Sequence, residues 1–198
     1  MKYGETLFDI FYLLFVIISG ILILKKGNKL AGISALTLGI GDAFHLVPRC
    51  LNYFVDKDFT MYLGIGKLVT SITMTIFYLL IYYLLKKHNK NITNILWILV
   101  ILRIIFCFLP GNNWLTDNST YLLGIIRNIP FFIIGALMVY LFYRDKKYKN
   151  IWLLILLSFV FYAVVVFGAD YYKMLGMFMI PKTICYMIMV NIFRKKAN

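Results

Sequence analysis

Charge is scarce in this chain. Only 15% of its 198 residues are Asp, Glu, Lys or Arg, against about a quarter in a soluble domain, while 62% are hydrophobic and the mean hydropathy is +0.83. That balance excludes a soluble enzyme, a disordered chain and a nucleic-acid-binding domain, so no nucleic-acid partner is expected. Histidine is scarcer still. With only His45 and His88, the latter in a loop, a three-histidine zinc site cannot be built. The three cysteines, Cys50, Cys107 and Cys185, lie in or beside apolar runs with no Cys-x-x-Cys spacing, which excludes a disulfide framework or thiolate metal site. Gly-x-Ser-x-Gly is missing, and no Gly-rich phosphate loop occurs in a suitable context. Long polar segments are missing as well, so the whole chain reads as one membrane domain with no expected cofactor.

What is present is a series of apolar runs. A membrane-spanning helix needs about 20 predominantly apolar residues, and that ruler finds seven: Leu7 to Leu24, Leu30 to Pro48, Tyr62 to Leu85, Ile92 to Leu109, Tyr121 to Tyr143, Ile151 to Gly168 and Leu175 to Phe193. The fold class is therefore an all-α, multi-pass bundle of seven transmembrane helices in the cell membrane. Glu5 and Asp9 stand where a signal peptide would carry positive charge, so the first run is read as a mature span.

The net charge of +13 is distributed in alternation. Lys25, Lys26 and Lys29 follow the first span, Lys86, Lys87 and Lys90 the third, Arg144, Lys146, Lys147 and Lys149 the fifth, and Arg194, Lys195 and Lys196 the seventh. The intervening loops hold Asp56, Lys57, Asp58, Asp117, Asp170 and Lys173. The positive-inside rule then predicts an outside N-terminus and a cytoplasmic C-terminus. Tyr62-Leu63-Gly64, Tyr121-Leu122-Leu123-Gly124 and Lys173-Met174-Leu175-Gly176 open the returning helices of three hairpins, either as a weak internal repeat or as a generic feature of such hairpins.

Ionisable groups inside a span are costly and point by default to the bundle interior. At a rise of about 1.5 Å per residue, Asp42 falls at mid-membrane, His45 and Arg49 lie progressively further out, and Arg103 is at or just outside the middle. Lys67, Arg127 and Lys182 fall in the outer parts of their spans, as does Asp9. These groups form one layer, which predicts an outward-facing polar pocket. Arg49, Lys67 and Asp9 are near enough to helix ends to snorkel, whereas Asp42, Arg103 and Lys182 are too deep to do so easily.

Three of the five arginines, Arg49, Arg103 and Arg127, belong to that layer. Their planar forks suit bidentate binding of carboxylate or phosphate. Five cations against Asp9 and Asp42 suit an anionic ligand or the headgroup of a membrane lipid. The alternative is that the two acids pair with cations merely to hold helices together. Spacings of three and four put Asp42, His45 and Arg49 on one helix face, a candidate acid/base pair with an anion clamp. Pro48, Pro130 and Pro181 lie close to Arg49, Arg127 and Lys182, and each frees a backbone carbonyl, so kinks are expected beside the charges. A retinal Schiff base on Lys182 is disfavoured by the surrounding cations. Interface belts account for many of the aromatics, and Asn118-Ser119-Thr120 matches a glycosylation sequon.

Gly41-Asp42-Ala43-Phe44-His45-Leu46-Val47-Pro48, followed by Tyr62-Leu63-Gly64-Ile65-Gly66-Lys67, resembles the YhhN/lysoplasmalogenase family of multi-span membrane proteins. Phe77-Tyr78 occurs near the place the family pattern expects. Ser71 to Thr75 replaces its histidine, Lys67 replaces an apolar opening residue, and Gly168-Ala169-Asp170 is the nearest match to its second acidic motif. The family's eight spans with a cytoplasmic N-terminus would fit this chain after loss of the first helix. The resemblance implies hydrolysis of the vinyl-ether bond of a lysophospholipid, with Asp42 as acid/base, assisted by His45, and Arg103 and Arg127 on the headgroup phosphate. Three functions are thus in view: a lipid-directed hydrolase, a carrier or sensor binding an anion from the outer side, and a structural subunit of a membrane complex.

Overall fold

A computed structural model describes residues 2–85 and 88–197. Among them are eight α-helices and two 3-10 segments, and no strand. The helices are α1 (Lys2–Lys25), α2 (Lys29–Phe54), α3 (Thr60–Tyr82), α4 (Lys90–Cys107), α5 (Tyr121–Ile126), α6 (Ile129–Arg144), α7 (Ile151–Gly168) and α8 (Met179–Lys195). Seven segments are long and apolar enough to cross a membrane; α5 and α6 together make the fifth, and the 3-10 segment Lys173–Phe178 with α8 makes the seventh. The protein is thus an integral membrane protein built as an all-helical bundle, the architecture that satisfies every backbone group without water. Lys86 and Lys87, assigned to a basic loop from the sequence, lie outside the described residues.

The sixth span is Ile151–Gly168 as predicted, but α2 runs on to Phe54, beyond the expected end at Pro48. The prolines also behave differently from one another. α2 passes uninterrupted through Pro48, whereas the fifth span breaks at Arg127–Asn128, immediately before Pro130. Pro181 sits in the first turn of α8, just after the 3-10 segment. Local side chains set the helix starts: Asn28 accepts the Ala31 amide at 3.2 Å, and Asn89 accepts the Asn91 amide at 2.9 Å. Before α3, hydrogen bonds from the Thr60 side chain and amide hold the Asp58 carboxyl below its ordinary range. The three motifs that open the returning spans take three conformations: within α3, as the short α5, and as a 3-10 segment.

Consecutive spans pack as neighbours, α1 closes the ring against α8, and α3 reaches α6 across it. The loops containing Lys26, Lys147 and Lys196 converge at one end, the basic end. The dry core lies in that half, where Val16, Ile23, Phe77, Ile81, Ile134, Met138, Phe142, Ile155, Met189 and Val190 are buried. Apolar side chains such as Ile98, Ile101, Ile105 and Val160 point outward, as a surface facing hydrocarbon requires.

At the other end, two glycines allow the close approaches that shape the interior. A methyl group on Gly66 would fall on the Phe44 carbonyl oxygen, the acceptor left without its helical donor by Pro48, so α3 can press against α2 beside His45. A methyl group on Gly64 would fall on the Trp114 carbonyl oxygen, so the loop after α4 lies directly on α3. The Thr70 hydroxyl adds a hydrogen bond across the first interface, donating to the Gly41 carbonyl at 3.0 Å.

Candidate functional site

The space between the spans at this end is a cavity of about 1060 Å³. Asp42, His45, Arg49, Lys67, Arg103, Arg127 and Lys182, singled out from the sequence, all line it. They come from α2, α3, α4, the break in the fifth span and α8. Asp170, in the nearest match to a second acidic motif, lines it too.

Partner by partner, the charges separate into two groups. Arg49 is neutralised from α1: its Nη2 lies 2.6 Å from Asp9 Oδ2 and its Nη1 3.3 Å from Glu5 Oε1, while the Tyr53 hydroxyl donates to Glu5 at 3.0 Å. Lys67 is held by both carboxylate oxygens of Asp117 at 2.8 Å. Asp9 therefore ties α1 to α2, and Arg49 and Lys67 are compensated cations.

Arg103, Arg127 and Lys182 have no carboxylate within 4.0 Å among the described residues. Arg103 is almost completely buried, with 1% exposure. Its Nη1 donates to Asn128 Oδ1 at 2.7 Å and to the Arg127 carbonyl, its Nε donates to the Thr75 hydroxyl at 3.3 Å, and the guanidinium lies over the Phe131 ring at 4.3 Å. Asn128 completes this junction. Its Nδ2 donates to the Gly124 carbonyl at 2.7 Å and its Oδ1 also accepts the Tyr162 hydroxyl at 2.8 Å. The Arg103–Asn128 pair thus satisfies carbonyls at a helix break in the fifth span.

Arg127 leaves that break towards the cavity, with its guanidinium over the Trp114 ring at 4.5 Å and Nη1 donating to Asn112 Oδ1 at 2.8 Å. Asn112 is itself fixed by donating to the Phe106 and Leu109 carbonyls at 2.8 and 3.0 Å, and Trp114 donates to the Cys107 carbonyl at 2.7 Å. Both side chains therefore use the unsatisfied end of α4 as their anchor. Lys182 is buried with its ammonium over the rings of Tyr162 and Tyr186, at 4.3 and 5.6 Å, and makes no hydrogen bond or ion pair among the described residues.

The deep carboxylate, Asp42, is not paired with an arginine. The fully buried Tyr12 hydroxyl donates to its Oδ2 at 2.5 Å. No hydrogen bond joins Asp42 to His45 among the described residues, although both line the cavity, and His45 Nδ1 is buried without a hydrogen-bond partner. The hydroxyls of Ser71, Thr73 and Thr75 donate to carbonyls of α3 itself, and only Thr75 reaches across to a cation.

Sequence reasoning missed Tyr12, Asn112, Trp114, Asn128 and Tyr162, and treated Glu5 and Asp117 as terminus and loop residues. Asn128 had a signal, a buried amide two residues before a proline inside an apolar run; the other neutral groups had none that distinguishes them from interface aromatics and loop polars. No metal-holding group of three or more His, Cys, Asp or Glu occurs among the described residues. No protein-family model matches the chain, and no curated protein or solved structure is similar to it.

Proposed function

We propose that the protein binds an anionic amphiphile, its carboxylate or phosphate headgroup seated against Arg127 and Lys182. One observation carries this reading: with Arg49 and Lys67 paired to their own carboxylates, Arg103, Arg127, Lys173 and Lys182 line the cavity without an ion pair among the described residues, against Asp42 and Asp170. Charge left uncompensated at membrane depth is costly, and an incoming anion relieves it. Arg103 holds the break in span five, so Arg127 keeps its position and Lys182 its aromatic floor. With the orientation expected from the basic loops, the cavity faces outside. The dry core beneath it favours a receptor or a lipid-handling protein over a carrier.

A second reading is favoured by the short Tyr12–Asp42 hydrogen bond. A carboxyl group kept beside a cationic headgroup site is placed for general acid/base work, and hydrolysis of a lysophospholipid vinyl ether, the activity implied by the resemblance to the YhhN/lysoplasmalogenase family, uses that chemistry. Asp42 would protonate the enol-ether carbon while water adds to the resulting cation, releasing an aldehyde and the glycerophosphate portion.

One variant separates the two. Asp42→Asn removes a negative charge from the site, so simple binding predicts tighter retention of lysophosphatidic acid in an equilibrium-binding measurement. Hydrolysis predicts loss of aldehyde release from a vinyl-ether lysophospholipid. Absence of both binding and release in folded wild-type protein would overturn the amphiphile reading and leave the structural-subunit alternative.

A further inference from the structure

A second, shallow and open depression of about 550 Å³ lies on the surface of the basic end and is independent of the first. It is lined by Lys26, Lys29, Lys147 and Lys196, with Leu30 and Ala197, contributed by the turn between α1 and α2, the loop between α6 and α7, and the end of α8. These segments are far apart in sequence, so only the closed ring of helices brings them together. We propose that they form a binding site for the phosphate-bearing headgroup of an anionic membrane lipid.

The acidic residue of these segments, Asp145, accepts the Tyr148 amide at Oδ1 at 2.9 Å and forms no ion pair among the described residues. Among the described residues no carboxylate lies within 4.0 Å of the ammonium groups of Lys29, Lys147 or Lys196. Lys147 and Lys196 instead share one aromatic base, lying over the buried Tyr148 ring at 5.0 and 5.4 Å. Cations held on a ring face keep their outward hydrogen-bond donors for a ligand.

The level in the membrane selects a lipid over a free ion. Arg144 lies over Tyr140, and Tyr143 packs edge-on against Trp152 at 5.3 Å, an aromatic group at the span ends of the kind that marks the headgroup zone. Basic pockets between spans at this depth match phosphate headgroups of anionic lipids. The exposed Leu30 at the rim supplies an apolar edge that a glycerol backbone and acyl chain can use and an inorganic ion cannot.

The test is native mass spectrometry of the full chain extracted from vesicles of phosphatidylcholine and phosphatidylglycerol, with a parallel titration of inorganic phosphate. Wild-type protein is expected to retain phosphatidylglycerol in preference to phosphatidylcholine. The triple variant Lys29→Ala, Lys147→Ala, Lys196→Ala should lose that preference at least several-fold. A control that removes the same charge outside the depression, Lys90→Ala, Lys146→Ala, Lys149→Ala, should retain it, with a monodisperse elution profile establishing that each variant is folded. Equal loss in both triples would overturn the proposal, since diffuse surface charge then explains retention. Phosphate competing for the site without lipid preference would overturn the lipid assignment in favour of a soluble anion.

Discussion

The two halves of this bundle solve the same problem with different chemistry. In the basic half, helices meet through Val16, Ile81, Met138, Ile155 and Val190, and the buried hydroxyls bond to one another or to their own helix, as where Ser158 donates to the Ile155 carbonyl at 2.8 Å and the Tyr78 hydroxyl meets those of Ser158 and Tyr186 at 3.4 and 3.3 Å. In the other half, the contacts between α1, α2, α4 and the broken fifth span are largely made by ions and amides around a cavity. Dispersion packing between apolar helices leaves no room for a ligand. A half held by point contacts can enclose empty space and still be specified, because each polar group demands a particular partner.

The largest expected effect is therefore at the junction of the two halves. Asn128→Leu removes three buried hydrogen bonds, to the Arg103 guanidinium, the Gly124 carbonyl and the Tyr162 hydroxyl, at about 1–3 kcal/mol each, measured as a fall in thermal unfolding temperature in detergent. Adding Arg103→Met should recover part of that loss, because two apolar groups leave no buried charge unpaired. If the single variant unfolds like wild type, the break in span five does not depend on this pair.

Next is a contrast between depths. Ile155→Ala in the dry half should destabilise by about 2–5 kcal/mol through the cavity it leaves while leaving affinity for an anionic amphiphile unchanged. Lys182→Ala should show the reverse, a loss of about tenfold or more in affinity, equivalent to about 1.4 kcal/mol, with little loss of stability, read by binding and thermal unfolding on the same preparations. Matching losses in both variants would erase the functional division. The smallest effect is expected at Lys67→Ala. Its side chain is 43% exposed and its pair with Asp117 should be worth about 0–1 kcal/mol; a large change in anion affinity there would move the binding site to the mouth of the cavity.

Much of the fold could be read from the chain because hydropathy and helical rise are properties of consecutive residues. Seven apolar runs, their ends marked by lysine clusters, and a layer of charges at one depth all follow from counting along one dimension. Depth alone also identified Asp42, Arg103 and Lys182 as residues that cannot reach water easily, and the spacing of Asp42, His45 and Arg49 put them on one face of α2, the face the tertiary structure turns to the cavity. What counting could not supply was azimuth and reach. Pro48 and Pro130 look alike in sequence, yet one lies in a continuous helix backed by Gly66 and the other follows a break closed by Arg103 and Asn128.

The sequence by itself determined that this is a seven-span membrane protein whose ionisable groups share one level, because burial of apolar runs and the cost of intramembrane charge act on each helix separately. Only the tertiary structure decided which charges cancel. Glu5 and Asp9 reach Arg49, Asp117 reaches Lys67, and Tyr12 takes Asp42, leaving Arg103, Arg127 and Lys182 without acids. Pairing is a matter of a few ångströms between different helices, and the Coulomb energy that depends on those distances is set by how the helices turn towards one another, a quantity that no single span contains.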